Sequence, residues 1–209
     1  MFKKSCARNL AQDTLIRVTE EAREYITDPK ALRALSHPTR WTIVELLGLE
    51  DTATATRCAE YSGESVASCS YHLSMLAKYG FVEQVQAPGR EKPWKLARRD
   101  QSWKVRGLDT EAAMAAETLS EVFLDHETSR MKDWVRRASR DPEEWQSAAG
   151  MSASTIHVTA DELVELRERI AALTAPYVER RHDPAGRPDG ARAVRVFVST
   201  WLPRTGGER

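Results

Sequence analysis

From Ser65 to Lys78 the chain reads Ser-Val-Ala-Ser-Cys-Ser-Tyr-His-Leu-Ser-Met-Leu-Ala-Lys. Cys69, His72, Leu73 and Leu76 recur at i, i+3, i+4 and i+7, so a helix over 65–79 turns them to one side. The other side carries Ala67, Tyr71, Ser74 and Lys78, flanked by Ser68 and Ser70, with Ser65 at its start. In a chain that is 30% charged, an outer helix face without a single carboxylate is unusual. The chemistry open to it is recognition of duplex DNA. Short side chains allow close approach to the major groove, hydroxyls can meet base edges or phosphate oxygens, and a lysine can neutralise a phosphate. A solvated, serine-rich surface helix is the plain alternative, and the flanking segments decide between the two.

Those segments are the ones a groove-reading helix needs. Residues 53–62 read as a short helix closed by Gly63, a residue suited to the left-handed position after a helix end. Ser65 then caps the next helix, giving helix, tight turn, helix. Upstream, Ser36-His37-Pro38 opens another helix whose face is Ile43, Trp41, Val44 and Leu47. Downstream, Gly80 ends the recognition helix and 81–86 alternates like a strand, with a turn over 87–92 and a return through Trp94. Between Gln86 and Gly107 the basic residues Arg90, Lys92, Lys95, Arg98, Arg99, Lys104 and Arg106 face only Glu91 and Asp100. A basic hairpin beside a groove-reading helix is where phosphate contacts belong, and Arg90 and Lys92 sit at its tip.

This set of residues resembles the ArsR (SmtB-like) family of winged helix-turn-helix regulators. The resemblance is carried by Leu32-Arg33-Ala34-Leu35-Ser36-His37-Pro38-Thr39-Arg40, by Ser70-Tyr71-His72-Leu73-Ser74-Met75-Leu76, by Gly80-Phe81-Val82-Glu83 and by Gly89-Arg90-Glu91-Lys92-Pro93-Trp94. It implies a homodimeric repressor whose two recognition helices enter successive major grooves of a near-palindromic double-stranded operator. It implies His72 as a packing residue rather than a ligand. The thiol metal sensors of the family carry a Cys-x-Cys motif on the helix before the recognition helix. Here that place reads Arg57-Cys58-Ala59-Glu60, with one cysteine. Asp125-His126-Glu127 and His182-Asp183 lack the paired spacing of the family's other site, and Cys6 lies in the N-terminal arm. No metal and no cofactor are expected.

Composition narrows the remaining classes. The formal net charge is zero, which argues against unspecific coating of nucleic acid but leaves a local basic wing sufficient for a defined site. No apolar run approaches the ~20 residues of a membrane span, the start lacks a secretory apolar stretch, and three scattered cysteines make no disulfide framework. The expectation is a cytoplasmic protein that does not touch a membrane. Gly-rich phosphate loops, Gly-x-Ser-x-Gly and His-Glu-x-x-His are absent from the sequence, and no enzyme is expected. A winged-helix module for protein–protein contact is the rival, but such a face would favour large apolar residues, and only Tyr71 qualifies.

The expected fold is mainly α with a small β component (α+β). An N-terminal arm or helix over 1–27 precedes the winged domain over 28–100, whose wing spans 81–97. A helical dimerisation region follows over 101–204, then a disordered tail over 205–209. A helix capped at Asp109 or Thr110 runs to about Arg140, with Leu119, Val122 and Phe123 on its apolar side. Pro142 opens a short helix as its first residue, and a flexible stretch covers 146–154. Thr159-Ala160-Asp161-Glu162 is a capping box for a helix carrying the seam Leu163, Leu166, Ile170, Leu173 and Tyr177. Both apolar faces are expected at the dimer interface. Ile156-His157-Val158 and the alternating segment from Val194 to Leu202 are expected to pair as strands in a short β-α-β unit. Trp103, Trp134, Trp145 and Trp201 offer an aromatic pocket for an unidentified small-molecule effector, the alternative to a purely dimerising role.

Overall fold

Every helix around the basic hairpin starts on a side chain that satisfies an otherwise orphaned backbone N–H. The computed structural model describes residues 25–87, 92–98, 101–105, 107–180 and 183–203. Helix α1 (Pro29–Leu35) is capped by Asp28, and α2 (Pro38–Glu50) by His37, whose ring nitrogen accepts from the Thr39 N–H. Helix α3 (Ala55–Ser62) is capped by Thr54 and closed by Gly63 at φ 76°, a conformation glycine adopts without a Cβ penalty. Helix α4 (Val66–Lys78) is capped by Ser65, which accepts from the Ser68 N–H at 3.1 Å. Such caps are each worth about 1 kcal/mol, and here they fix where α3 stops and α4 begins.

The hairpin follows directly. Strands β1 (Val82–Gln84) and β2 (Trp94–Leu96) pair antiparallel, Val82 opposite Leu96 and Gln84 opposite Trp94. Hydrogen bonds from Val85 N–H to Pro93 O and from Ala97 N–H to Phe81 O extend the pairing at both ends. Trp94 also exchanges two backbone bonds with Ala53, pinning the hairpin to the start of α3.

Helix α5 (Thr110–Arg137), capped by Asp109, continues as a 3₁₀ turn over Ala138–Arg140. It packs along α1, where Ala112, Ala115 and Ala116 on one side and Ala31 and Ala34 on the other are all buried. Small residues on both sides let the backbones approach closely, so the dispersion contacts come from main chain as well as side chain. Leu32, Leu35, Ile43, Leu46, Leu47, Leu73, Leu76, Phe81 and Leu119 form the fully buried centre shared by these helices and the hairpin. Glu45 joins α2 to α5, facing His126 Nε2 at 3.2 Å and Arg130 Nε at 2.7 Å. Arg130 also donates to the Tyr61 hydroxyl at 2.5 Å, bringing α3 into the same network.

Beyond α5 the structure departs from the sequence-based expectation. Helices α6 (Glu143–Ala148) and α7 (Ala160–Glu179) form, with Pro142 at the N-cap rather than the first helical position. The Thr159–Glu162 capping box is present with both of its reciprocal bonds. The β-α-β unit does not form: 156–158 and 194–202 are unpaired and carry no strand. The second segment instead lies extended against α5, because alternate residues find partners there. Arg195 pairs with the buried carboxylate of Glu127, and the Phe197 ring meets Phe123 at 5.8 Å, while Val194, Val196 and Val198 point outward. Further along the same strap, Arg187 binds Asp51 at 2.9 Å. Asp51 closes α2 at φ 63° and is the one non-glycine with positive φ among the described residues.

Two expected interface residues are used inside the chain. Leu119 is fully buried, and Phe123 joins an aromatic cluster with Trp41 (4.8 Å between ring centroids) and Trp103 (5.2 Å). Val122 is half-buried against the same core. That side of α5 is apolar in part because it covers α2 within the chain. Among the described residues no helix is long and apolar enough to cross a membrane. The calls on 1–24 and on 205–209 fall outside the described residues.

Candidate nucleic-acid interface

Helix α4 buries Cys69, His72, Leu73 and Leu76, and this alone fixes what it shows to solvent. Ser65, Ala67, Ser70, Tyr71, Ser74 and Lys78 are exposed, and Ser68 is half-buried at the edge. Tyr71 is 57% exposed, which leaves its phenol free to reach out from the helix. Ser74 Oγ donates to the Ser70 carbonyl at 2.8 Å, so in this rotamer it offers an incoming group only acceptor lone pairs.

The outer face continues into an open groove of about 420 Å³ between α4 and the hairpin. Ser70 and Ser74 line one wall, Gln84 and Lys92 the other, with Trp94, Val66 and Ala55 between them. Lys92 is exposed, while Arg90 lies outside the described residues, as do Glu91, Arg99, Asp100 and Arg106. Lys95 is engaged by its cross-strand neighbour Glu83 at 3.0 Å, and Lys104 sits over the Tyr25 ring at 4.1 Å. Among the described basic residues of the hairpin, Lys92 is the one that lines the groove. Gln84 escaped the sequence reading. Buried Phe81 and Val82 followed by exposed Glu83 and Gln84 break strict strand alternation, so a period of two gave no signal for it.

Behind the recognition face lies an arrangement that neither periodicity nor motif disclosed. Arg40 is buried, its guanidinium donating to the Ala34 carbonyl (2.6 Å) and to His72 Nδ1 (3.3 Å). Burial holds the Arg40 pKa below its ordinary value, the nearby Tyr71 and Tyr79 hydroxyls opposing the shift only in part. His72 is thus a packing residue with a polar duty, since it anchors α4 to α2.

The possible thiol and metal chemistry is equally legible. Cys58 and Cys69 are both buried, and desolvation pushes the Cys58 thiol up to about 11. Thiolate is the reactive form, so Cys58 is expected to resist alkylation by iodoacetamide at pH 8 until the protein is unfolded. Mass-spectrometric detection of rapid labelling in the native protein would contradict that placement. Arg57 beside it is fully engaged by Glu50 (2.6 Å) and Glu60 (3.3 Å). Among the described residues no cluster of three or more His, Cys, Asp or Glu side chains is placed to hold a metal ion. His126 is committed to Glu45, and His182 and Cys6 lie outside the described residues. Of the four tryptophans proposed for an effector pocket, three take separate surroundings: Trp103 belongs to the core cluster, Trp145 stacks under Arg192 at 5.3 Å, and Trp201 is 75% exposed.

A capped helix, a left-handed glycine turn, a second capped helix with a buried inner stripe, and an antiparallel hairpin pinned to the first now stand together. The domain is a winged helix-turn-helix. No protein-family model matches the chain, and no curated protein matches it. Among solved structures, the chain is similar to reduced HlyU from Vibrio cholerae at 17% identity and a TM-score of 0.31, covering 55% of this chain and 95% of that one. It is also similar to ZitR from Lactococcus lactis, a mutant in apo form, at 16% identity and a TM-score of 0.30, covering 84% of this chain and 99% of that one. Likeness at this level adds no weight of its own. The winged-helix assignment stands on the caps, turn, buried stripe and hairpin of this chain.

Proposed function

We propose that this protein is a sequence-specific DNA-binding transcription regulator of the ArsR (SmtB-like) kind, without metal sensing and without catalytic activity. One observation carries the reading: the solvent face of α4 is a carboxylate-free row of small and hydroxyl-bearing side chains that runs unbroken into the groove beside the winged hairpin. Ser65, Ala67, Ser68, Ser70, Tyr71, Ser74 and Lys78 enter the major groove, and Lys92 with Arg90 holds the flanking phosphate backbone. Tyr71→Ala and Ser74→Ala should each cost roughly 1–3 kcal/mol of discrimination against random DNA while leaving the denaturant midpoint unchanged. Lys92→Ala should weaken specific and random duplexes alike and reduce the slope of log affinity against log salt by about 0.9. Fluorescence anisotropy on duplexes selected from genomic fragments reads all three. Tight binding by both α4 variants with a shifted stability midpoint would reject this orientation of the helix.

The regulator acts as a homodimeric repressor on a near-palindromic operator, because one recognition helix and wing read only a few base pairs and a two-fold pair spaces two of them about 34–36 Å apart. The surface that fits self-association is α7, with Leu163, Leu166, Ile170, Leu173 and Tyr177. This helix has no buried residue, whereas most helical stability in proteins comes from packing of an apolar face. Leu119 is fully buried in the chain's own core, so on the α5 face only the half-buried Val122 and Phe123 remain open to a partner. In a two-fold contact one substitution strikes twice, so Leu166→Glu should convert a dimer to a monomer at micromolar concentration and lower operator affinity. Sedimentation velocity decides: a wild-type monomer that binds operator tightly rejects the dimer.

A further inference from the structure

Two imidazoles meet behind the recognition helix, and each uses its Nδ1 as an acceptor. His37 Nδ1 accepts the Thr39 N–H at 3.2 Å and caps α2. His72 Nδ1 accepts the Arg40 Nε–H at 3.3 Å and ties α4 to α2. The two rings lie 4.5 Å apart between centroids, and the Tyr71 ring meets His72 edge-on at 5.3 Å. An Nδ1 that accepts requires the neutral ring with its proton on Nε2. A second proton would point each ring donor-to-donor at the group it now binds, and would set a new cation beside the buried guanidinium of Arg40.

The surroundings do little to soften that. Arg40 faces the pair from α2, and α1 contributes the neutral Ala34 carbonyl that Arg40 already occupies. Tyr71 and Tyr79 approach Arg40 from α4 and its C-terminal end. The turn between α3 and α4 contributes Glu64, exposed and 3.5 Å from the Thr39 hydroxyl, as the one acidic group acting on either ring among the described residues. We propose that mild acid switches off DNA binding through proton uptake at His37 and His72, which releases the recognition helix from Arg40 and α2. The proposal rests on the DNA-binding reading above.

The sign follows from the direction of the shifts. Burial first, then Arg40, lowers the His37 pKa below 6.5, with Glu64 opposing; burial first, then His37 and Arg40, lowers that of His72. Folded-state values below the unfolded one mean stability that is fully present above pH 6.5 and lost as pH falls through the lowered values. Because the rings touch, the two sites titrate as a coupled pair in which the first proton makes the second harder to add, so one proton governs the onset.

The experiment uses the full chain and a selected duplex at constant ionic strength between pH 8 and 5.5. Log affinity should be flat above about pH 7 and fall with a slope approaching one per pH unit, about tenfold per unit, while far-ultraviolet circular dichroism is unchanged. H72Q keeps an acceptor for Arg40 and cannot titrate here, and H37N keeps a capping oxygen. The double variant should bind within about threefold of wild type at pH 7.5 and lose the acid dependence. Unchanged wild-type affinity at pH 5.5, an equally acid-sensitive double variant, or a loss that coincides with global loss of helix would each overturn the switch. Should the double variant misfold, or no duplex be bound at any pH, imidazole chemical shifts and α4 amide exchange in the free wild-type protein decide. Titration of both rings below 6.5 with opening of α4 supports the switch even where the DNA reading has failed. Titration at or above 6.5, or without opening, rejects it.

Discussion

Leu73→Ala is expected to lower the stability of the winged domain by about 2–5 kcal/mol and its thermal midpoint by roughly 5–15 °C. Leu73 is fully buried on the inner stripe of α4, in the core that α4 shares with α2 and the hairpin. Truncation removes transfer free energy and leaves a void that close-packed neighbours such as Leu76 and Phe81 cannot fill without shifting α4 itself. Against a typical total of about 5–15 kcal/mol, this is a large fraction of what holds the fold. The contrast sharpens the expectation: Ser70→Ala, one turn away on the exposed face, should change stability by less than about 0.5 kcal/mol. Paired urea titrations check both, and equal midpoints for the two variants would place the inner and outer stripes wrongly.

Arg195→Ala is expected to cost about 1–3 kcal/mol and to free the strap around 194–198 from α5. Glu127 is 3% exposed and its carboxylate is held by Arg195 through two nitrogens. Deleting one member of a buried pair leaves an uncompensated charge, which by itself argues for a larger figure. The Arg195 side chain is 63% exposed, however, so solvent screens the pair and can follow the vacated space, and the lower range applies. Glu127→Gln in the Arg195→Ala background should recover part of the loss, since a neutral amide is cheaper to leave buried. Limited trypsin digestion reads the strap directly. A cleavage pattern and denaturant midpoint identical to wild type would mean the ion pair contributes nothing.

The DNA-facing half of the fold was legible because its rules are local. Gly63, the caps at Thr54 and Ser65, and the stripe of Cys69, His72, Leu73 and Leu76 are adjacent in sequence to the elements they define. The same holds for the capping box of α7, which formed as its spacing dictates. Long-range pairings were not legible. An apolar face at helical spacing states that something covers it, but not whether the cover is α2 of the same chain, as for Leu119 and Phe123, or a second molecule. Alternation over 194–198 states that two sides differ, but the inward side found Glu127 and Phe123 on a helix instead of a neighbouring strand. Arg40 entered the sequence reading only as the end of the Leu32–Arg40 match, since nothing near it in sequence announces that it will be buried against His72 thirty-two residues away.

The end of α2 couples the two halves of the chain through geometry. Asp51 sits at φ 63°, a conformation that typically costs a side-chain-bearing residue about 1–2 kcal/mol and costs glycine little. Glycine would be the comfortable residue there, but glycine has no carboxylate for Arg187. The winged domain thus carries a small local debt whose return is realised only while the strap is docked. Detaching the strap leaves the strain without its compensation, so the helix that supports the recognition helix is more prone to fray when the C-terminal segment is away. Occupancy of the strap and order at the end of α2 are one equilibrium, readable from either side.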